Sequence, residues 1–160
     1  MGTQQTLTTK EQQILTLFVV EQCIKYAKET GKTFEEVLNE DVFANEASTD
    51  FAEMICKNID SLSKDGYISG TVELEYEIEI DAETFEEEKI DNINFAECTF
   101  DNIEINTKGK AYMAVDNLKT LGKDFYKKSI PLLKCIATSS LETAVECAFI
   151  AIVRNAGFPV

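Results

Sequence analysis

The sequence predicts an α+β fold in which three helices lead into a long acidic β-hairpin and further helices follow it. Three observations carry that expectation. Helix-start signals recur early, at Thr8-x-x-Glu11 and Thr33-x-x-Glu36, each a box in which hydroxyl and carboxylate satisfy backbone donors that a first turn leaves open. From Val72 to Ile80 apolar and acidic residues alternate strictly, the period of a strand with one buried and one wet face. The last third returns to helical spacing and contains a run, Ala144 to Val153, that is apolar apart from Glu146.

The first helix is expected from about Thr9 to Thr30, amphipathic through Ile14, Leu17, Phe18, Val20, Cys23, Ile24 and Ala27, and stopped by Gly31. A short second helix opens at Thr33 with Phe34, Val37 and Leu38 inward. Ser48, Thr49 or Asp50 caps a third, whose Phe51, Ile55, Ile59 and Leu62 share one face and which ends at Lys64-Asp65-Gly66. A strand then starts at Tyr67-Ile68 and runs through the alternating stretch, with Val72, Leu74, Tyr76, Ile78 and Ile80 inward and Glu73, Glu75, Glu77 and Glu79 outward.

Residues 81 to 90 form a charged loop or strand tip, and a return segment runs from about Ile93 to Thr107. Its apolar residues Ile90, Phe95, Phe100 and Ile105 recur every five positions, the period of a pentapeptide coil. So few repeats bury no core of their own, so a bulged antiparallel strand is the better reading. Thr107 is suited to cap the next helix, through Ala111, Tyr112, Val115 and Leu118 and on to about Lys128. Ser129-Ile130-Pro131 marks a restart, and Ser139-x-x-Glu142 boxes a last helix that Gly157 and Pro159 end. An all-round apolar helix wants burial on every side. Its uninterrupted apolar run, Cys147 to Val153, has seven residues, far short of the roughly 20 that cross a bilayer.

Charge is unevenly spread. The chain carries a formal net charge of −14, and Thr71 to Glu104 alone holds thirteen acidic residues against Lys89, while residues 105 to 160 are net basic. A pI near 4.4 disfavours bulk attraction to nucleic acid or an anionic membrane. Five cysteines and no histidine exclude a Cys–His zinc site and read as reduced core thiols. With no basic and apolar blocks of a signal peptide in the opening residues, a cytoplasmic protein is expected. Gly2 followed by Thr6 fits a myristoylation pattern only formally. No phosphate loop, calcium loop or activated nucleophile is visible, so neither catalytic residues nor a cofactor nor a metal is expected.

Two joints carry a family resemblance: Leu62-Ser-Lys-Asp-Gly66-Tyr67-Ile68, from helix to strand, and Ile105-Asn-Thr107-Lys-Gly109-Lys-Ala-Tyr112-Met, from strand to helix. They resemble the joints of bacterial and phage winged-helix proteins, including the small YjcQ-like group. The resemblance implies a winged-helix-like core of three helices plus a long acidic β-hairpin wing, with a C-terminal helical extension. Residues 1–115 would be that domain, 71–104 its wing, and 116–160 helices for packing or dimerisation. A DNA-binding member would offer basic groups from its third helix and wing. Here 45 to 64 is net acidic and the wing strongly so, which argues against direct nucleic-acid binding.

The functional expectation is a non-catalytic regulatory or protein-interaction protein. Its acidic wing (Glu73, Glu75, Glu77, Glu79, Glu86, Glu87, Glu88) would meet a basic protein surface, and its last helix (Val145, Phe149, Ile150, Ile152, Val153) would pack or make a homodimer. A phage-type acidic inhibitor that mimics nucleic acid is the alternative; glutamates about 6.7 Å apart on one strand face imitate phosphates only sparsely. A DNA-binding regulator using Lys108, Lys110, Lys119, Lys123, Lys127 and Lys128 is the third.

Overall fold

The computed structural model describes residues 6–45 and 48–158. The expectations resting on Gly2, Glu46 and Pro159 lie outside the described residues. The fold is α+β, and its centre is helix α1, Thr9–Thr30, to which α2 (Phe34–Val37), α3 (Thr49–Lys64), strand β4 (Thr99–Ile105) and α7 (Ser139–Asn155) all pack. The Thr8 hydroxyl accepts from Glu11 N–H at 3.2 Å, the Glu11 carboxylate accepts from Thr8 N–H at 2.9 Å, and Gly31 ends the helix in the left-handed region.

Helix α1 is not amphipathic in the expected sense. Glu11 and every residue from Gln13 to Val20 are buried. The polar residues outside its expected apolar positions are spent on neighbouring helices. Gln13 donates to Ser61 Oγ at 3.0 Å and accepts from Tyr112 O–H at 2.8 Å, and Gln12 accepts from Asn58 at 3.2 Å. Glu11 accepts from Lys128 Nζ at 3.2 Å. Each bond satisfies a group whose burial would otherwise cost stability.

Helix α2 is boxed by Thr33 and Glu36 and runs into one π-helical turn, Leu38–Val42. There the buried Asp41 accepts from Lys32 Nζ at 3.0 Å and from the Thr138 hydroxyl at 2.7 Å, while its carbonyl accepts Thr138 N–H. Thr138, not Ser139, is therefore the cap residue of α7; its hydroxyl is committed to Asp41, and Ser139 falls inside the helix instead of boxing its start with Glu142.

Helix α3 buries Phe51, Ile55, Ile59 and Leu62, as its spacing predicts, and stops at Gly66, where φ is 82°. The two joints lock onto each other. Asn106 donates to Gly66 O at 2.6 Å, Lys108 Nζ donates to Asp65 O at 2.7 Å and lies 4.4 Å over the Tyr67 ring, and Tyr67 stacks on Tyr112 at 4.4 Å. Asn106, whose side chain accepts Gly109 N–H at 2.9 Å, caps α4 (Thr107–Tyr112) in place of Thr107. Gly109 sits so close beneath Tyr67 that a Cβ there would fall against the Tyr67 carbonyl oxygen.

The hairpin is broken into two halves where one continuous strand is expected on each side. The inner half pairs β1 (Ile68–Glu73) with β4, and the outer half pairs β2 (Tyr76–Ile80) with β3 (Glu87–Ile93), both antiparallel. Between them lies a waist. Phe95–Glu97 forms a 3-10 turn, Asn94 N–H donates to Glu75 O at 2.8 Å, and Glu75 N–H donates to the buried Cys98 Sγ at 3.4 Å. This turn, with irregular pairing near Gly70 and between Tyr76 and Ile78, breaks the two-residue alternation of the return strand. The five-residue spacing thus belongs to a bulged, interrupted strand.

After α4 the expected helix to Lys128 divides into α5 (Val115–Leu118) and α6 (Phe125–Leu133), and Pro131 lies inside α6 instead of restarting a helix. Helix α7 is not buried on every side. Leu141, Val145, Phe149 and Val153 form its buried stripe, while Cys147 and Ala151 are exposed, the outer positions being filled by small side chains. Phe149 meets Phe18 of α1 at 5.5 Å and Phe125 of α6 at 5.3 Å. One continuous buried cluster includes Phe18, Ile59, Phe100, Leu118, Phe125 and Phe149. Position 115 marks no break in that core.

Among the described residues no helix is long and apolar enough to cross a membrane.

Candidate interaction surface on the outer hairpin

The outer hairpin is where the expected burial pattern fails. Val72, Leu74 and Tyr76 are half-buried and pack against the core, but Ile78 is 55% exposed, Ile80 60% and Phe85 80%. They are the exposed large hydrophobic side chains of the described structure, and all three lie on one arm. The alternation correctly predicts a strand. It gives no sign that the strand outruns the body able to cover it.

Acidic residues surround these apolar ones. Glu79 stands directly opposite Glu88, Ile80 opposite Glu87 and Ile78 opposite Lys89. Like charges directly opposite across strands are destabilising, so the Glu79–Glu88 pair weakens the outer sheet. Glu79, Asp81, Glu86, Glu87 and Glu88 line a hollow of about 430 Å³. Glu73 sits on the inner sheet and Glu75 at the waist, so the seven expected acidic residues are all exposed but spread along the arm. Among the described residues no group of three or more Cys, Asp or Glu is placed to hold a metal ion.

The tip is ordered by Asp81. Its carboxylate accepts from Glu83 N–H at 2.8 Å and Thr84 N–H at 3.1 Å, and its backbone pairs with Phe85 N–H and Glu86 O. This turn sets Phe85 at φ 57°, side chain outward. Aspartate favours such turns, because its carboxylate reaches the backbone amides that follow it, but here it is masked by the surrounding charge.

The Thr84 and Glu83 amides hold the Asp81 carboxyl below its usual range. A depressed folded-state value means that this ordering is fully present above the unfolded carboxylate value and is lost as pH falls through the folded one. The protection of the Glu83 and Thr84 amides, taken relative to their intrinsic exchange rate at each pH, should therefore fall on acidification, and in Asp81→Ala it should be low at every pH.

The six lysines differ in their contacts. Lys108 is bound at the joint and Lys128 by Glu11, whereas Lys110, Lys119, Lys123 and Lys127 are exposed. Lys119 and Lys123 flank a groove of about 330 Å³ floored by Leu121, Ala156, Gly157 and Phe158. Lys127 and Lys128 border a separate groove of about 580 Å³ with Phe51, Met54, Pro131 and Leu132. On α3, Lys57 pairs with Asp91 at 3.3 Å and Lys64 with Asp60 at 2.9 Å, so both meet carboxylates.

Of the residues expected for packing or a dimer, Val145, Phe149 and Val153 belong to the chain's own core, and Ile150 and Ile152 are half-buried. No family model, curated protein or solved structure matches this chain.

Proposed function

We propose that the protein is a non-catalytic interaction protein of winged-helix type, whose acidic wing docks on a basic protein surface. The observation that carries this reading is the outer hairpin, which leaves Ile78, Ile80 and Phe85 uncovered amid carboxylates. Aromatic and aliphatic side chains exposed together on a projecting element are what a partner buries, and the charged rim selects a partner of opposite sign. The order α1, α2, α3, hairpin, α4 and the interlocked joints at Gly66 and Asn106 support the winged-helix part.

Nucleic acid is the disfavoured ligand, because the wing is acidic and the lysines of α3 are engaged with Asp60 and Asp91. The reading is tested by affinity capture from the native host with the full chain as bait, after nuclease treatment. Basic proteins, or copies of this chain presenting a basic groove, should be retained by the wild type and lost with Ile78→Ser/Ile80→Ser/Phe85→Ser. Retention of the same proteins by both baits would sink it.

A further inference from the structure

The same molecule carries two surfaces of matching chemistry. The hairpin tip offers Ile80 and Phe85 beside Glu83 and Glu86, all exposed. The groove beside α5 and the end of α7 offers Leu121, Ala156 and Phe158 between Lys119 and Lys123. Its volume of about 330 Å³ is at the low end for ligand pockets and leaves room for an aromatic side chain. The tip does not reach the groove of its own chain, since Phe85 is 80% exposed.

We propose that the tip of one chain seats in the Lys119–Lys123 groove of a second copy, Phe85 entering between Leu121 and Phe158 while Glu83 and Glu86 meet the two lysines. Charge selects this arrangement. Hairpin against hairpin would bring Glu79, Glu86, Glu87 and Glu88 of two copies together, and groove against groove would oppose lysines. One such contact is small beside the roughly 1,200–2,000 Å² of a stable interface. The pair is therefore reciprocal, each copy giving its tip and receiving the other's about a two-fold axis. This inference rests on the reading of the outer hairpin as a docking arm and names its occupant.

Sedimentation of the full chain over a concentration series tests it. The wild type should reach the mass of two chains and stop there. Phe85→Ser, Glu83→Lys/Glu86→Lys and Lys119→Glu/Lys123→Glu each change exposed side chains and should each sediment as one chain. Mixing the two charge-reversed variants should restore a two-chain species, since each reversed surface then meets its opposite. A wild type that stays at one chain, a mass that grows past two, or a mixture that does not associate overturns the proposal. A one-chain wild type that still captures a basic host protein through Phe85 refutes self-docking while leaving the docking arm standing. If that capture is also indifferent to Phe85, both readings fall.

Discussion

Phe149→Ala should destabilise the protein by about 3–5 kcal/mol, the range for emptying a buried aromatic site. The ring is fully buried and touches Phe18, Phe125 and Tyr126, so its loss opens a cavity between α1, α6 and α7 together. Denaturant unfolding followed by both secondary-structure and aromatic signals measures it. A single transition moved to lower denaturant with unchanged slope is expected. Were the C-terminal helices an independent extension, the variant would unfold in two steps and leave residues 9 to 115 intact.

Lys128→Met should cost a comparable amount, about 3–5 kcal/mol, because it leaves a buried carboxylate without its counter-charge. Glu11 is 2% exposed on its side chain and Lys128 15%, at 3.2 Å, and the second Glu11 carboxylate oxygen is buried without a hydrogen-bond partner. The attraction therefore acts where water screens it little. Removing both charges, as in Glu11→Gln/Lys128→Met, should recover most of the loss, since the uncompensated ion is then gone and glutamine retains the bond to Thr8 N–H. The double-mutant cycle from unfolding midpoints checks this. Additive single and double losses would mean the two charges are not coupled.

The signals set by neighbouring residues are legible in the sequence. Thr8 with Glu11, Gly31, Thr33 with Glu36 and Gly66 place the first helices, because caps and left-handed stops act within one turn. The alternation of Val72 to Ile80 likewise reports strand geometry. Partners distant in the chain are not legible. Glu11 is legible only as a cap, and Gln12 and Gln13 carry no signal, because their acceptors and donors, Asn58, Ser61, Tyr112 and Lys128, arrive from three other helices. The start of α7 at Thr138 in place of Ser139 goes with Asp41, ninety-seven positions away, which takes the Thr138 hydroxyl.

The candidate site divides in the same way. Its carboxylates are plain in the sequence, being a matter of composition. That Ile78, Ile80 and Phe85 stand uncovered is invisible there, because alternation states which residues share a face and not whether anything packs on it. Of the two roles expected for α7, packing or a homodimer, Val145, Phe149 and Val153 take packing within their own chain, and the sequence leaves the choice open for the converse reason. An apolar helix does not announce whether its own chain or another one buries it, and here its own α1 and α6 do.

The most direct test of the outer hairpin as a docking arm compares the Ile78→Ser/Ile80→Ser/Phe85→Ser variant with the wild type in unfolding and binding together. At a concentration where both are single chains, the expected unfolding free energy is within about 0.5 kcal/mol of wild type, as for surface substitutions, with loss of partner binding. A fall in stability of core size with binding retained would contradict it, making these side chains part of the fold instead of its docking surface.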